Sequence, residues 1–243
     1  MTLKVKLYFK NGVDTVGIVK DLLALPAPLR PYYFAEDEGK IIKTNVISDK
    51  VRFSDFRKNN EIGFFLYTKG KMMIDISTNS GYAEITVWLK KNMPEEYAHT
   101  FLKSLTKHNP IFGYACDDDE YDHRNRYYIT IGKSHIQAWI GRRLENNIPG
   151  VYWCTLFSDY ILQKYGVTLS DLADEAISVE TIGDKIYLLQ FYHYARDWKD
   201  NRELLDDLCE RVSGIFSRRI VDASIDRKNI SYLEFNEALQ QWR

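Results

Sequence analysis

An α+β fold, an antiparallel sheet covered by helices, is what this sequence predicts, and three observations carry the prediction. Residues 3–9, 62–68, 71–77 and 82–90 hold apolar side chains in strand-length runs. Turn residues, Lys69-Gly70 and Thr78-Asn79-Ser80-Gly81, separate the last three as an antiparallel meander. Two rounds of strands are each closed by an amphipathic helical stripe, the order expected of helices lying on a sheet.

Taken in order, Leu3, Val5, Leu7 and Phe9 fall on one face at period two, a half-buried strand that Asn11-Gly12 ends. Val13, Val16, Val19, Leu22 and Leu23 then recur at helical spacing until Pro26 and Pro28 stop the helix. A Pro-punctuated loop is expected to about Phe34, and the charged stretch 48–60 reads as a short exposed helix or loop. After the meander, Asn92, Pro94, Glu95 and Glu96 mark a helix start, with Tyr97, Ala98, Phe101, Leu102 and Leu105 as its buried stripe. The second round begins with strands at 127–131 and 151–155. Ser158 caps a short helix through Tyr165 that Gly166 closes. A hairpin over 177–182 and 185–191 turns at Gly183-Asp184, and a helix over 197–217 buries Leu205, Leu208, Val212 and Ile215 or Phe216. The two rounds, near 62–117 and 127–217, suggest a duplicated sheet-plus-helix unit within a single body spanning 1–243.

Composition narrows the function. The 243 residues are 45% hydrophobic, enough for a packed core without staples. Lys and Arg number 33 against 34 Asp and Glu, a formal charge of -1 that offers no global attraction to phosphate, so no direct nucleic-acid partner is expected. Cys116, Cys154 and Cys209 form an odd set without a CxxC pair, which points to free thiols in a reducing compartment. The N-terminal alternation lacks the apolar core of a signal peptide and no stretch has the length of a membrane span, so a cytoplasmic location without membrane contact is the expectation.

Catalytic signatures are missing: HExxH, GxSxG, GxxxxGK[ST] and GxGxxG do not occur, and His99, His108, His123, His135 and His193 include no i, i+4 pair. The expectation is therefore a protein that is not an enzyme and holds neither metal nor cofactor. One partial match to metal-dependent nucleases exists. Asp75 lies on one predicted strand and Glu84 on the next, but Thr86 stands where the stabilising Lys belongs. The alternative for Asp75 is a solvent-facing strand position between inward Ile74 and Ile76.

Two further runs stand out. Asp117, Asp118, Asp119, Glu120, Tyr121 and Asp122 place five acids in six residues, and crowded carboxylates favour an exposed loop where water screens them. That loop is either merely solvated or a surface that imitates nucleic-acid phosphates and captures a basic partner. In 148–157, Pro149-Gly150 delivers Tyr152 and Trp153 into a strand, where neighbouring side chains face opposite sides, so that one ring enters the core and the other is expected nearer the surface.

The run Pro149-Gly150-Val151-Tyr152-Trp153 through Phe157, with Phe112-Gly113-Tyr114-Ala115 before it, resembles bacterial immunity proteins, the cognate inhibitors (antitoxins) of polymorphic and type VI secretion toxins. The likeness spans about 62–216, and Thr155 departs from it where an Asn is the family expectation. It implies a protein without turnover that works by protein–protein interaction, binding a bacterial toxin domain, and a nuclease fits as the target. The acidic run 117–122 then gains a role as the toxin-binding surface. A degenerate nuclease and a nucleic-acid-binding or scaffold protein using 52–58 or 124–126 are the rival readings.

Overall fold

The computed structural model describes residues 2–78, 81–225 and 230–242, and the chain divides into two compact units. The first holds the chain through Ala115 with Leu156–Ser158 and Thr181–Tyr187; the second holds Cys116–Thr155, Asp159–Glu180 and the chain from Leu188 onward.

In unit 1 the opening strand β1 (Leu3–Lys10) buries Leu3, Val5, Leu7 and Phe9, as its alternation requires. Helix α1 (Thr15–Ala24) begins at Asp14, whose carboxylate accepts from the Gly17 N–H at 2.9 Å, and it buries Ile18, Val19 and Leu22. The expected loop beyond it contains a strand, β2 (Pro31–Ala35), paired antiparallel with β3 (Gly63–Thr68). Pro31 is tolerated because it opens the strand. Between them α2 (Lys50–Asn59) forms behind the Asp49 cap and buries Phe53, which settles the ambiguous charged stretch as helix.

The meander is present as β3, β4 (Met73–Thr78) and β5 (Tyr82–Leu89), with Ile74 opposite Leu66 and Val87. Asn79 and Ser80 of its second turn lie outside the described residues. Strand β5 also pairs with β1 along its length, from Leu3↔Leu89 to Lys10↔Tyr82. Helix α3 (Glu96–Ser104) packs on β1 and buries Ala98, Phe101 and Leu102. It begins later than Asn92, at Glu95, which makes no side-chain cap bond.

The apolar run after it is a strand absent from the sequence reading, β6 (Phe112–Asp117), in which every residue is buried. Its continuous burial explains the miss, since alternation is the signal of a half-buried strand. Then come α4 (Asp118–Asn125), the hairpin β7 (Arg126–Ile131) and β8 (Ser134–Trp139), β9 (Cys154–Ser158), α5 (Asp159–Tyr165) and α6 (Leu169–Ala173). The strand expected at 151–155 starts only at Cys154, so Tyr152 and Trp153 precede it. The second hairpin is observed as β10 (Ser178–Ile182) and β11 (Ile186–Gln190).

The long helix expected over 197–217 is divided. A 3-10 turn at Ala195–Lys199 leads to α7 (Arg202–Arg211), and α8 (Arg218–Ser224) is separate. Gly214 between them has φ +90, and a Cβ there would stand 2.5 Å from the Tyr165 carbonyl oxygen. The chain therefore turns where only glycine fits. A further helix, α9 (Tyr232–Gln240), packs Phe235 and Leu239 with Tyr127, Ile129, Phe216 and Val221 into a small core beneath β7 and β8.

Among the described residues, β10-β11-β9-β6-β1-β5-β4-β3-β2 is the order of a large antiparallel sheet of nine strands, and β7-β8 form a second sheet. The α+β class and the helix-covered antiparallel sheet are thus both present. Charge is unevenly divided. Unit 1 carries 18 Lys and Arg against 13 Asp and Glu, unit 2 carries 15 against 21, and only their totals of 33 and 34 nearly cancel.

Candidate functional site

The acidic run is a helix rather than an exposed loop. Asp117 is its N-cap, accepting from the Asp119 N–H at 2.8 Å, and Asp118, Asp119 and Glu120 occupy the first turn of α4. Carboxylates there meet the unpaired N–H groups and the positive end of the helix dipole, which offsets their mutual repulsion. The sequence carried this signal. Asp117 precedes Glu120 by three positions, while Glu120–Arg124 and Asp122–Arg126 have the i, i+4 spacing of helical ion pairs.

Three of the six residues assigned to the partner surface are interior. Asp117, Glu120 and Tyr121 are buried, and Glu120 is 0% exposed. Tyr121 packs its ring against Trp139 at 5.5 Å and Tyr152 at 6.4 Å. Glu120 accepts from the Tyr192 hydroxyl at 2.7 Å and from Arg124 Nε at 3.4 Å, and the Trp153 N–H adds a third donor. Burial drives its carboxyl up to about 7 against the pull of those partners. Arg124 Nη1 in turn donates to Asp206 Oδ1 at 2.6 Å. Although burial opposes ionisation, His123 and Arg124 hold the Asp206 carboxyl below its ordinary range.

The aromatic run is the other wall of this interior. Tyr152 and Trp153 are both buried, which corrects the expectation that one ring sits nearer the surface. Because the strand starts after them, strand alternation does not govern their directions. The Tyr152 hydroxyl donates to Asn125 Oδ1 at 2.5 Å, and Trp153 Nε1 donates to the Tyr192 carbonyl at 2.9 Å. Thr155, where the resemblance departs, accepts from the Tyr152 N–H at 3.0 Å and closes the bend before β9. An Asn is not required for that bond.

Asp118, Asp119 and Asp122 remain at the surface, with Asp119 the most open of the three. Asp122 is bound to Arg126 at 2.8 Å and lies beside the Tyr128 hydroxyl. A cleft of about 330 Å³ opens next to them, floored by Trp198 and edged by Asp119, Asp122, Arg126 and Arg218. Its charge is mixed, so the acidic field is narrower than five consecutive carboxylates suggested.

In unit 1 the Asp75–Glu84 pair lies on the sheet face opposite the buried Ile74, Ile76, Ile85 and Val87. Asp75 faces Thr86 across β4 and β5, and Thr86 faces Lys6 across β5 and β1. The cation missing at position 86 is thus supplied from β1, and Lys6 Nζ stands 2.7 Å from Glu84 Oε2. No sequence spacing reveals a pairing made across the sheet from the first strand. Burial pushes the Asp75 carboxyl up to about 6, opposed by Lys6 and reinforced by Glu84 and Glu38. Among the described residues no group of three or more His, Cys, Asp or Glu is arranged to hold a metal ion, and no helix is long and apolar enough to cross a membrane. Cys116, Cys154 and Cys209 are buried, and none of them is in a disulfide among the described residues.

No protein-family model, no curated protein and no solved structure matches the chain.

Proposed function

We propose that this chain is an immunity protein that binds a cognate bacterial toxin domain, a nuclease, and blocks its substrate cleft without any turnover of its own. The observation that supports this most is the construction of α4. Its interior side is fixed by Glu120, Arg124 and Asp206, while Asp118, Asp119 and Asp122 are presented from the same two turns. A rigid acidic helix loses little conformational freedom when it meets a basic cleft. The buried ionisable groups are consumed by one another, which suits a scaffold better than a reaction centre.

The test is co-expression with the toxin encoded beside this chain, joined to a binding measurement on the purified pair. Rescue of growth with a complex of defined stoichiometry is the expected result. Full toxicity in the presence of folded, abundant protein would sink the proposal.

A metal-dependent nuclease is the second reading, favoured by Lys6 beside Asp75 and Glu84. Lys6 already neutralises Glu84, so a divalent ion would have to displace it. Incubation with Mg²⁺ or Mn²⁺ and nucleic acid decides: cleavage abolished by Asp75→Asn or Glu84→Gln establishes this reading in place of the first.

A further inference from the structure

The near-neutral charge of the whole chain conceals a basic unit 1, and its lysines are not evenly spread. On the half-buried face of the sheet, Lys4 pairs with Trp88 across β1 and β5, and Trp88 pairs with Met73 across β5 and β4. That cross-strand row ends in a cleft of about 600 Å³ lined by Trp88, Met73 and Met93 and by three exposed lysines, Lys71, Lys90 and Lys91. Among the described residues no acidic side chain lines it. Lys4 reaches the Trp88 ring at 5.7 Å from its centroid, and Lys69, on the same turn as Lys71, lies over Tyr32 at 4.6 Å.

The backbone supports the arrangement. Lys71 has φ +63, a conformation in which glycine avoids the Cβ clash that lysine must accept. The turn is fixed by the Lys71 N–H bonded to the Thr68 carbonyl, and Lys90 Nζ donates to the Gly70 carbonyl, tying the end of β5 to the β3–β4 turn. A strained lysine, two neighbouring lysines and one half-exposed indole therefore open into one cleft.

We propose that this cleft binds single-stranded nucleic acid, with one base stacked on Trp88 and the adjoining phosphates met by Lys71, Lys90 and Lys91. A positive groove carrying a flat aromatic ring is the chemistry that holds single strands without sequence preference. Lysine meets phosphate as a point charge and needs no fixed fork geometry, which suits a sequence-tolerant contact. An acidic peptide shares the negative charge of a nucleic acid, but its carboxylates offer no ring to stack on the indole, whereas every nucleotide carries one. The expectation of no nucleic-acid partner rested on the net charge of -1, and that premise fails once the two units are counted separately.

The full chain is titrated into a short fluorescein-labelled oligothymidylate and followed by anisotropy at low ionic strength. Binding is expected, with log affinity falling against log salt at a slope of about -2, three phosphates at roughly 0.7 each. Trp88→Ala should weaken it about five- to hundredfold, the worth of one stacked base, while Trp88→Phe keeps most of the affinity. Lys71→Glu with Lys91→Glu, both at exposed positions, should abolish binding yet leave the unfolding midpoint and protection against the toxin intact. No anisotropy change at low salt, equal affinity in Trp88→Ala, or displacement by poly-glutamate as effective as by unlabelled oligonucleotide would each overturn the assignment.

Discussion

The two units treat an acid–base cluster in opposite ways. In unit 2, Glu120, Arg124 and Asp206 are withdrawn from water, and each charge is met by another charge or a hydrogen-bond donor. In unit 1, Lys6 and Glu84 pair on a half-exposed sheet face, and Asp75 stands beside them with its ionisation opposed by burial. The closed cluster is suited to holding structure, because its charged side chains are buried and directed at one another. The open one can respond to pH or to a bound cation. Function is therefore to be sought where each unit presents charge at the surface: on the outer side of α4, and along the lysine-lined end of the sheet.

The sharpest way to break this comparison is to open the closed cluster. Arg124→Met removes the guanidinium that bridges two buried carboxylates, and losing one partner of a buried ion pair typically costs about 3–5 kcal/mol. The urea midpoint should fall accordingly. Adding Glu120→Gln and Asp206→Asn should recover part of the loss, since the stranded charges are then gone. A midpoint equal to wild type would show that these groups are solvated.

Trp153→Ala attacks the same interior from its aromatic wall and should cost about 3 kcal/mol or more, as removal of a buried aromatic ring usually does. Tyr152→Ala is expected to be comparably damaging, because both rings are buried. If one of the two leaves the unfolding transition unmoved, that ring does not belong to the core.

These interior residues also show what the sequence could and could not convey. The meander and β1 were legible because their side chains alternate, and the α3 stripe because it keeps helical spacing. The strand β6 was hidden by being buried on both faces, and β2 by the proline that begins it. The helix over 197–217 looked continuous because its apolar spacing continues past Gly214, whose contact with the Tyr165 backbone exists only in the folded chain. For the site, the acidic composition of 117–122 was plain while its division into buried and exposed acids was not. Glu120 turns inward because Arg124, Tyr192 and the Trp153 N–H await it, and two of those partners are distant in sequence.

The open cluster yields a smaller, pH-dependent effect. Asp75 has its carboxyl raised to about 6 in the folded chain against 3.8 for the ordinary group. A raised acid favours the folded state while protonated, so its contribution is complete below pH 3.8 and disappears as pH rises through about 6. Wild type should therefore lose stability relative to Asp75→Asn between pH 4 and pH 7.5, by about 1 kcal/mol once solvent screening of this partly exposed group is allowed for. Parallel curves for the two proteins across that range would place Asp75 in bulk-like water.

The smallest effect on stability, and the most telling for the proposed partner, belongs to the outer face of α4. Asp118→Asn with Asp119→Asn preserves side-chain size while removing two charges from the first helical turn. Were these acids in an unstructured loop, relief of repulsion would leave the fold unchanged or slightly steadier. At a helix N-terminus they interact favourably with the dipole, each worth about 0.3–1 kcal/mol at low salt, so the double variant should be slightly less stable. Association with a basic toxin cleft should slow at low ionic strength, and the deficit should shrink as salt rises, because exposed charges are screened over about 8 Å at physiological ionic strength. Dissociation should change little, since charges at the rim steer encounter more than they hold the complex. An association rate indifferent to both substitutions at low salt would mean that these carboxylates serve the helix alone and that the toxin contact lies on another face of unit 2.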